Sequence, residues 1–265
     1  MDKVIDINYL ELFMGYALMI IPVYILWYYK TGLVKDTIVA ITRMTIQLLL
    51  VGVYLEYIFK IDSTLVNIAW VLIMSLIGTY TIIQRSGMNY RLFIIPVLLS
   101  GIISIAVTDA YFLGIVIKLD NIFNARYFIP ITGMLLGNTI RSVIISLNAY
   151  YKRIDEEQNL YRWHLANGAN KKEALLPFMR EALRIAFNPT IASTAIMGLI
   201  TLPGMMTGQI LGGSNPNVAV KYQIMLMITI FSSSIITVVL TILFSNRIAF
   251  DKYRNLRKDI FREKR

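Results

Sequence analysis

The stretch YYKRIDEEQNLYRWHLANGANKKEALLPFMREALR, Tyr150 to Arg184, is the longest polar interruption in an otherwise hydrophobic chain, and the rest of the molecule is read from it. Its first half sets Ile154, Leu160, Tyr161 and Trp163 among charges, the pattern of a helix with one face against protein or lipid and the other in water. Asn167-Gly168 ends that helix, because glycine tolerates the left-handed conformation of a C-terminal cap. Asn170 then suits an N-cap, and Glu173, three residues on, is placed to bond back to it as in a capping box. The stretch is expected to fold as helix, tight turn, helix, a rigid knob at about 150–184 between two apolar segments.

The apolar segments set the class. Of 265 residues, 57% are hydrophobic and only 16% charged, and the mean hydropathy is +0.61, outside the balance of a soluble domain. The sequence predicts an all-α polytopic membrane protein, one domain over 1–265, with about seven transmembrane helices of the ~20 residues that cross a hydrocarbon core. They are expected at Leu12 to Tyr29, Thr37 to Phe59, Thr64 to Ile83, Leu92 to Ile117, Tyr127 to Leu147, Ile185 to Leu211 and Tyr222 to Phe244. Pro22 is expected to kink the first, and Pro203-Gly204 to interrupt the sixth. The N-terminus MDKVIDINYLEL lacks the basic region of a signal peptide, so the first apolar stretch is expected to stay as an anchor.

The net charge of +10 could suggest nucleic acid, but the charges occupy alternate loops and the C-terminal end. Lys30 and Lys35, Arg85 and Arg91, the 150–184 loop and the basic tail from Arg247 onward alternate with short, nearly neutral loops. This is the positive-inside pattern, which places the N-terminus outside and the C-terminus in the cytosol of a cell-membrane protein and gives no role to nucleic acid.

No GxxxxGK[ST] phosphate loop, HExxH metal motif or GxSxG nucleophile elbow occurs. The chain has no cysteine and one histidine, His164, so thiolate and multi-histidine metal sites are excluded. Energy for uphill transport would come from an ion gradient or from another subunit. Ionisable residues within the spans are the candidates for a relay. Arg43 and Arg141 either snorkel to headgroups or face a pathway; Glu56, near the outer face, is either solvated or shares a cation with Asp109, which lies deep in the fourth span. PGMMTGQILGG, Pro203 to Gly213, breaks the sixth span, and broken helices line substrate sites in transporters. Met205, Met206, Thr207 and Gln209 either line a pathway or form a packing kink. The Ser232-Ser233-Ser234 run either permits close helix approach or bonds across helices.

Four blocks then bear on family: RMTIQLLLVGVYLEYIF from Arg43, NARYFIPITGMLLGN from Asn124, LANGANKKEALLPFMREALR from Leu165 and PTIASTAIMGLITLPGMMTGQILGG from Pro189. Together they resemble the FetB-like family, permease subunits of ABC transporters associated with iron export in bacteria, which includes the membrane half of a plant aluminium-tolerance transporter. The resemblance implies a separate cytosolic ABC ATPase carrying ATP and magnesium, no cofactor on this chain, a homodimer in the bilayer and outward movement of iron or another metal species. Leu165, Ala166, Gly168, Ala169, Glu173 and Pro177 are similar to the coupling loop of ABC importers, with a shorter distance from Gly168 to Leu176-Pro177. A non-metal solute such as a nucleotide-sugar, an ion-driven carrier and a membrane scaffold are the competing readings.

Overall fold

In the computed structural model, residues 8–262 are described. Among them every regular element is a helix, and six are long and apolar enough to cross a membrane. The first crossing is made of α1 (Tyr9–Tyr16) and α2 (Ile20–Tyr28), joined by a 3-10 turn, Ala17–Met19. The 3-10 turn includes Leu18, four residues before Pro22, whose carbonyl the proline ring would meet in a continuous α-helix, so the irregularity falls on the side of Pro22 where a proline kink is expected.

The next elements are α3 (Val34–Ile61), α4 (Thr64–Ser86) and α5 (Tyr90–Asp109), which continues as a π-helical segment, Ala110–Val116. Left-handed residues make the tight reversals: Asp62 (φ 39°) between α3 and α4, Gly87 (φ 70°) between α4 and α5. The following helix, α6 (Ala125–Glu156), runs past the expected Leu147 into the polar stretch. Ile154, expected in the first loop helix, is therefore a fully buried residue of α6. The remainder is α7 (Gln158–Ala166), α8 (Lys171–Ala195), α9 (Gly204–Leu211) and α10 (Pro216–Ser245).

Packing centres on α5, α6 and α10, with α4 and α8 against α6. The seam is lined with small hydroxyl residues that let helices approach closely. Ser104 donates to the Ser233 carbonyl at 2.8 Å, and the Thr139 and Ser234 hydroxyls lie 3.4 Å apart. Of the serine run, Ser233 and Ser234 thus bond across helices. By contrast α1, α2 and α3 bury almost nothing; Ile58 alone among their residues is buried.

The sixth expected span is not one helix. Chain direction nevertheless requires a crossing there. The end of α6 meets the end of α10, with the Tyr151 hydroxyl donating to Ser245 Oγ at 2.7 Å, while Phe128 and Leu226, early in each helix, share one apolar cluster. The two helices run in the same direction, so residues 157–215 must return across the molecule. They do so as α8, an irregular segment 196–203, and α9. The break starts at Ile196, earlier than the expected Pro203-Gly204, because Gly198 adopts φ 87° and donates its N–H to the Thr201 carbonyl at 2.9 Å. Pro203 instead serves as the N-cap residue of α9.

Candidate functional site

The hairpin α7–turn–α8 is built as its residues dictate. The Ala169 N–H donates to the His164 carbonyl and the Gly168 N–H to the Leu165 carbonyl, at 3.1 and 3.2 Å, with Gly168 at φ 89°. This pair is a Schellman closure, which satisfies the last carbonyls of α7. Asn170 Oδ1 then accepts from the Lys172 and Glu173 N–H groups, and Glu173 Oε2 accepts from the Asn170 N–H at 2.8 Å. Ala166, Gly168 and Glu173 are exposed at the tip; Leu165, Ala169 and Pro177 are half-buried. Leu165 and Ala169 pack on the main apolar cluster, which fixes the angle of the tip.

Behind the hairpin lies an element that sequence reading took only as a carrier of charge. Residues 246–262 fold across this end of the molecule. Lys171 donates to the Asn246 carbonyl at 2.9 Å and sits 4.1 Å from the centre of the Phe250 ring. The Tyr161 hydroxyl donates to the Arg254 carbonyl at 3.0 Å. Further on, the Asn89 N–H donates to the Ile260 carbonyl and the Arg262 N–H to the Gly87 carbonyl, both at 2.8 Å. Ala249, Phe250 and Ile260 are buried in the process. Burial, and then the charge of Arg254, lower the pKa of Lys171. The tail thus ties the hairpin, the end of α10 and the α4–α5 turn into one body. The apolar residues Phe250 and Ile260 among the basic ones were the available signal.

Within the helical bundle, Asp109 is 2% exposed, at the junction where α5 becomes π-helical. Thr132 Oγ1 of α6 donates to its Oδ2 at 2.6 Å, and its Oδ1 is buried without a partner among the described residues. The expected shared cation with Glu56 is not supported by this geometry. Glu56 pairs with Lys60 at 2.7 Å on an exposed face of α3, and α3 packs against α2 and α6 without comparable contact to α5. Arg43 and Arg141 are also exposed, which fits long side chains reaching toward headgroups. Thr132, a residue sequence reading missed, gave no signal in one dimension.

The broken crossing borders a cavity of about 840 Å³ between α8, segment 196–203, α9 and α10. Its walls include Ile191, Met197, Met206, Met227 and Phe231, with Gln223 among them. Gln223 is 8% exposed, and its Oε1 has no hydrogen-bond partner among the described residues. Of the four expected pathway residues on the broken span, Met206 lines this cavity. Met205 packs on the Phe112–Leu226 cluster, the Thr207 hydroxyl donates to the Pro203 carbonyl at 3.2 Å, and Gln209 is half-buried. No group of three or more His, Cys, Asp or Glu side chains converges among the described residues.

These features define a multi-pass helical membrane protein with a rigid hairpin at one end and a broken crossing in its span. The chain belongs to the family described as Uncharacterised protein family (UPF0014), whose model matches residues 9–250. It is 34% identical to a protein of Escherichia coli named probable iron export permease protein FetB, over 84% of this chain and 86% of that one. It is 29% identical to the UPF0014 membrane protein YjkA of Bacillus subtilis, over 95% of this chain and 99% of the other. It is 32% identical to the protein ALUMINUM SENSITIVE 3 of Arabidopsis thaliana, over 72% and 69% of the two chains. The family expected from the four sequence blocks is thereby confirmed. No solved structure matches the chain.

Proposed function

We propose that this membrane permease is the spanning subunit of an ATP-driven ABC transporter, two copies of which sit in the cell membrane with two copies of a separate cytosolic ATPase. The observation that carries this reading is the hairpin: an exposed tip whose two helices are capped at the turn and whose base is tied through the tail to the end of α10 and the α4–α5 turn. Such a part moves as a unit, so force applied at the tip is transmitted to α8 and from there to the break at Ile196. The same end carries Arg85, Arg91 and the basic tail, in keeping with a cytosolic position, a cytosolic C-terminus and an outside N-terminus.

The cargo of this reading is iron or another metal species moved outward, by analogy with the relative named an iron export permease. An ion-gradient mechanism has less support, because Glu56 and Asp109 have separate partners. The test is co-purification of the chain with a candidate P-loop ATPase, with Gly168→Arg as the variant. Any side chain at φ 89° is strained by ~1–2 kcal/mol, and a cation is added at the exposed tip. The expected result is loss of ATPase association or stimulation with normal membrane insertion; an unimpaired complex refutes the coupling role of the hairpin.

A further inference from the structure

The irregular segment 196–203 bonds the N–H groups of Met197, Gly198, Leu199 and Ile200 locally, yet one copy of the chain leaves the outer surface of the segment uncovered. From the exposed Arg184 to Ile196 an α-helix climbs ~18 Å at ~1.5 Å per residue, past the middle of a ~30 Å hydrocarbon core. Irregular backbone at that depth survives only where protein or a water-filled cavity covers it, since lipid offers no hydrogen bonds. Yet Leu199 is 89% and Ile200 78% exposed, and α9 begins beside them with no side-chain cap on its first N–H groups.

The same face is both convex and concave. Leu199 and Ile200 project from the turn, and the 840 Å³ cavity, lined by the neighbouring Met197, Gly198 and Leu202, opens beside them. A surface carrying an apolar projection next to an apolar hollow can pair with its own copy, each giving what the other receives, as a two-fold interface demands. We propose that this face is the interface between two copies, with the Leu199-Ile200 tip of each seated in the α8–α10 cavity of the other. The seated tip covers the irregular backbone of both copies. The proposal takes up the two-copy arrangement of the permease reading and adds its location, placing the broken crossings of the two copies against each other at the two-fold axis.

The chain has no cysteine, so single cysteines report without background. Two differently tagged full-length copies are co-expressed, one with Leu199→Cys and the other with Ile228→Cys on the cavity wall, and oxidised in native membranes. Putting one cysteine on each copy excludes a link within a copy. The expected result is a disulfide-linked pair of the two tags, absent when Leu199→Cys is replaced by Val53→Cys on the exposed face of α3. No link between the tags, a link through Val53→Cys instead, or a link from Leu199→Cys to a different protein overturns the proposal. No ATPase enters the readout, so failure here is distinct from failure of the coupling assay.

Discussion

One helix, α8, lives in two environments. From Lys171 to Phe187 it buries Ala174, Leu175, Phe178, Ala182, Ala186 and Phe187 against α6, α7 and the tail; from Asn188 to its end it buries none, and α9 beyond the break buries none either. The first half sits in a close-packed core that has no freedom to yield, and the second borders a hollow. A movement imposed on the packed half is therefore carried by rigid contacts, while the displacement appears where contacts are few.

Four measurements sharpen or break that contrast. The largest effect is expected from Phe178→Ala, which removes a fully buried ring from beside Tyr161; a loss of ~3–5 kcal/mol is expected for such a cavity, read as a lowered unfolding midpoint of the purified chain. Next, Tyr151→Phe deletes the hydroxyl that donates to Ser245 and Asn246, with an expected cost of ~1–2 kcal/mol from buried polar atoms left short of a partner. Leu199→Ala in the other half is expected to change the stability of a detergent-separated protomer by less than ~0.5 kcal/mol. A loss there equal to that of Phe178→Ala would abolish the contrast.

The smallest effect concerns Lys171. Its lowered pKa means that the folded protein holds this proton less tightly than the unfolded chain, so more protons are bound on unfolding between the lowered value and 10.5. Stability from this group consequently rises with pH through that window, and the burden of burying the charge is fully present below it. A thermal-unfolding series from pH 8 to 11 is expected to show a shallow rise in wild type, with the contribution missing in Lys171→Met.

Most crossings were legible because long apolar runs bounded by charges leave few alternatives. The predicted Thr64 to Ile83 and Leu92 to Ile117 became Thr64–Ser86 and Tyr90–Val116. The hairpin was legible for a different reason: its glycine and capping box act within a few residues of chain. What escaped was whatever depends on distant segments. Segment 196–203 contains no charge; Pro203 announced an interruption, but the apolar residues before it read as a continuation of the helix, so the turn at Gly198 was not foreseen. The buried tail was hidden because eight basic residues near the C-terminus are explained by topology alone, leaving Phe250 and Ile260 without weight. Asp109 announced its burial, but Thr132 becomes its partner only when α5 and α6 pack.

The most direct test of the coupling role is to reconstitute the chain in nanodiscs with the candidate ATPase and measure hydrolysis against a panel of metals, metal chelates and sugar nucleotides. The account predicts a stable complex whose hydrolysis responds to a metal species and loses that response in Gly168→Arg. A chain that binds no ATPase, or a complex whose hydrolysis is the same with and without the Gly168→Arg change, contradicts it.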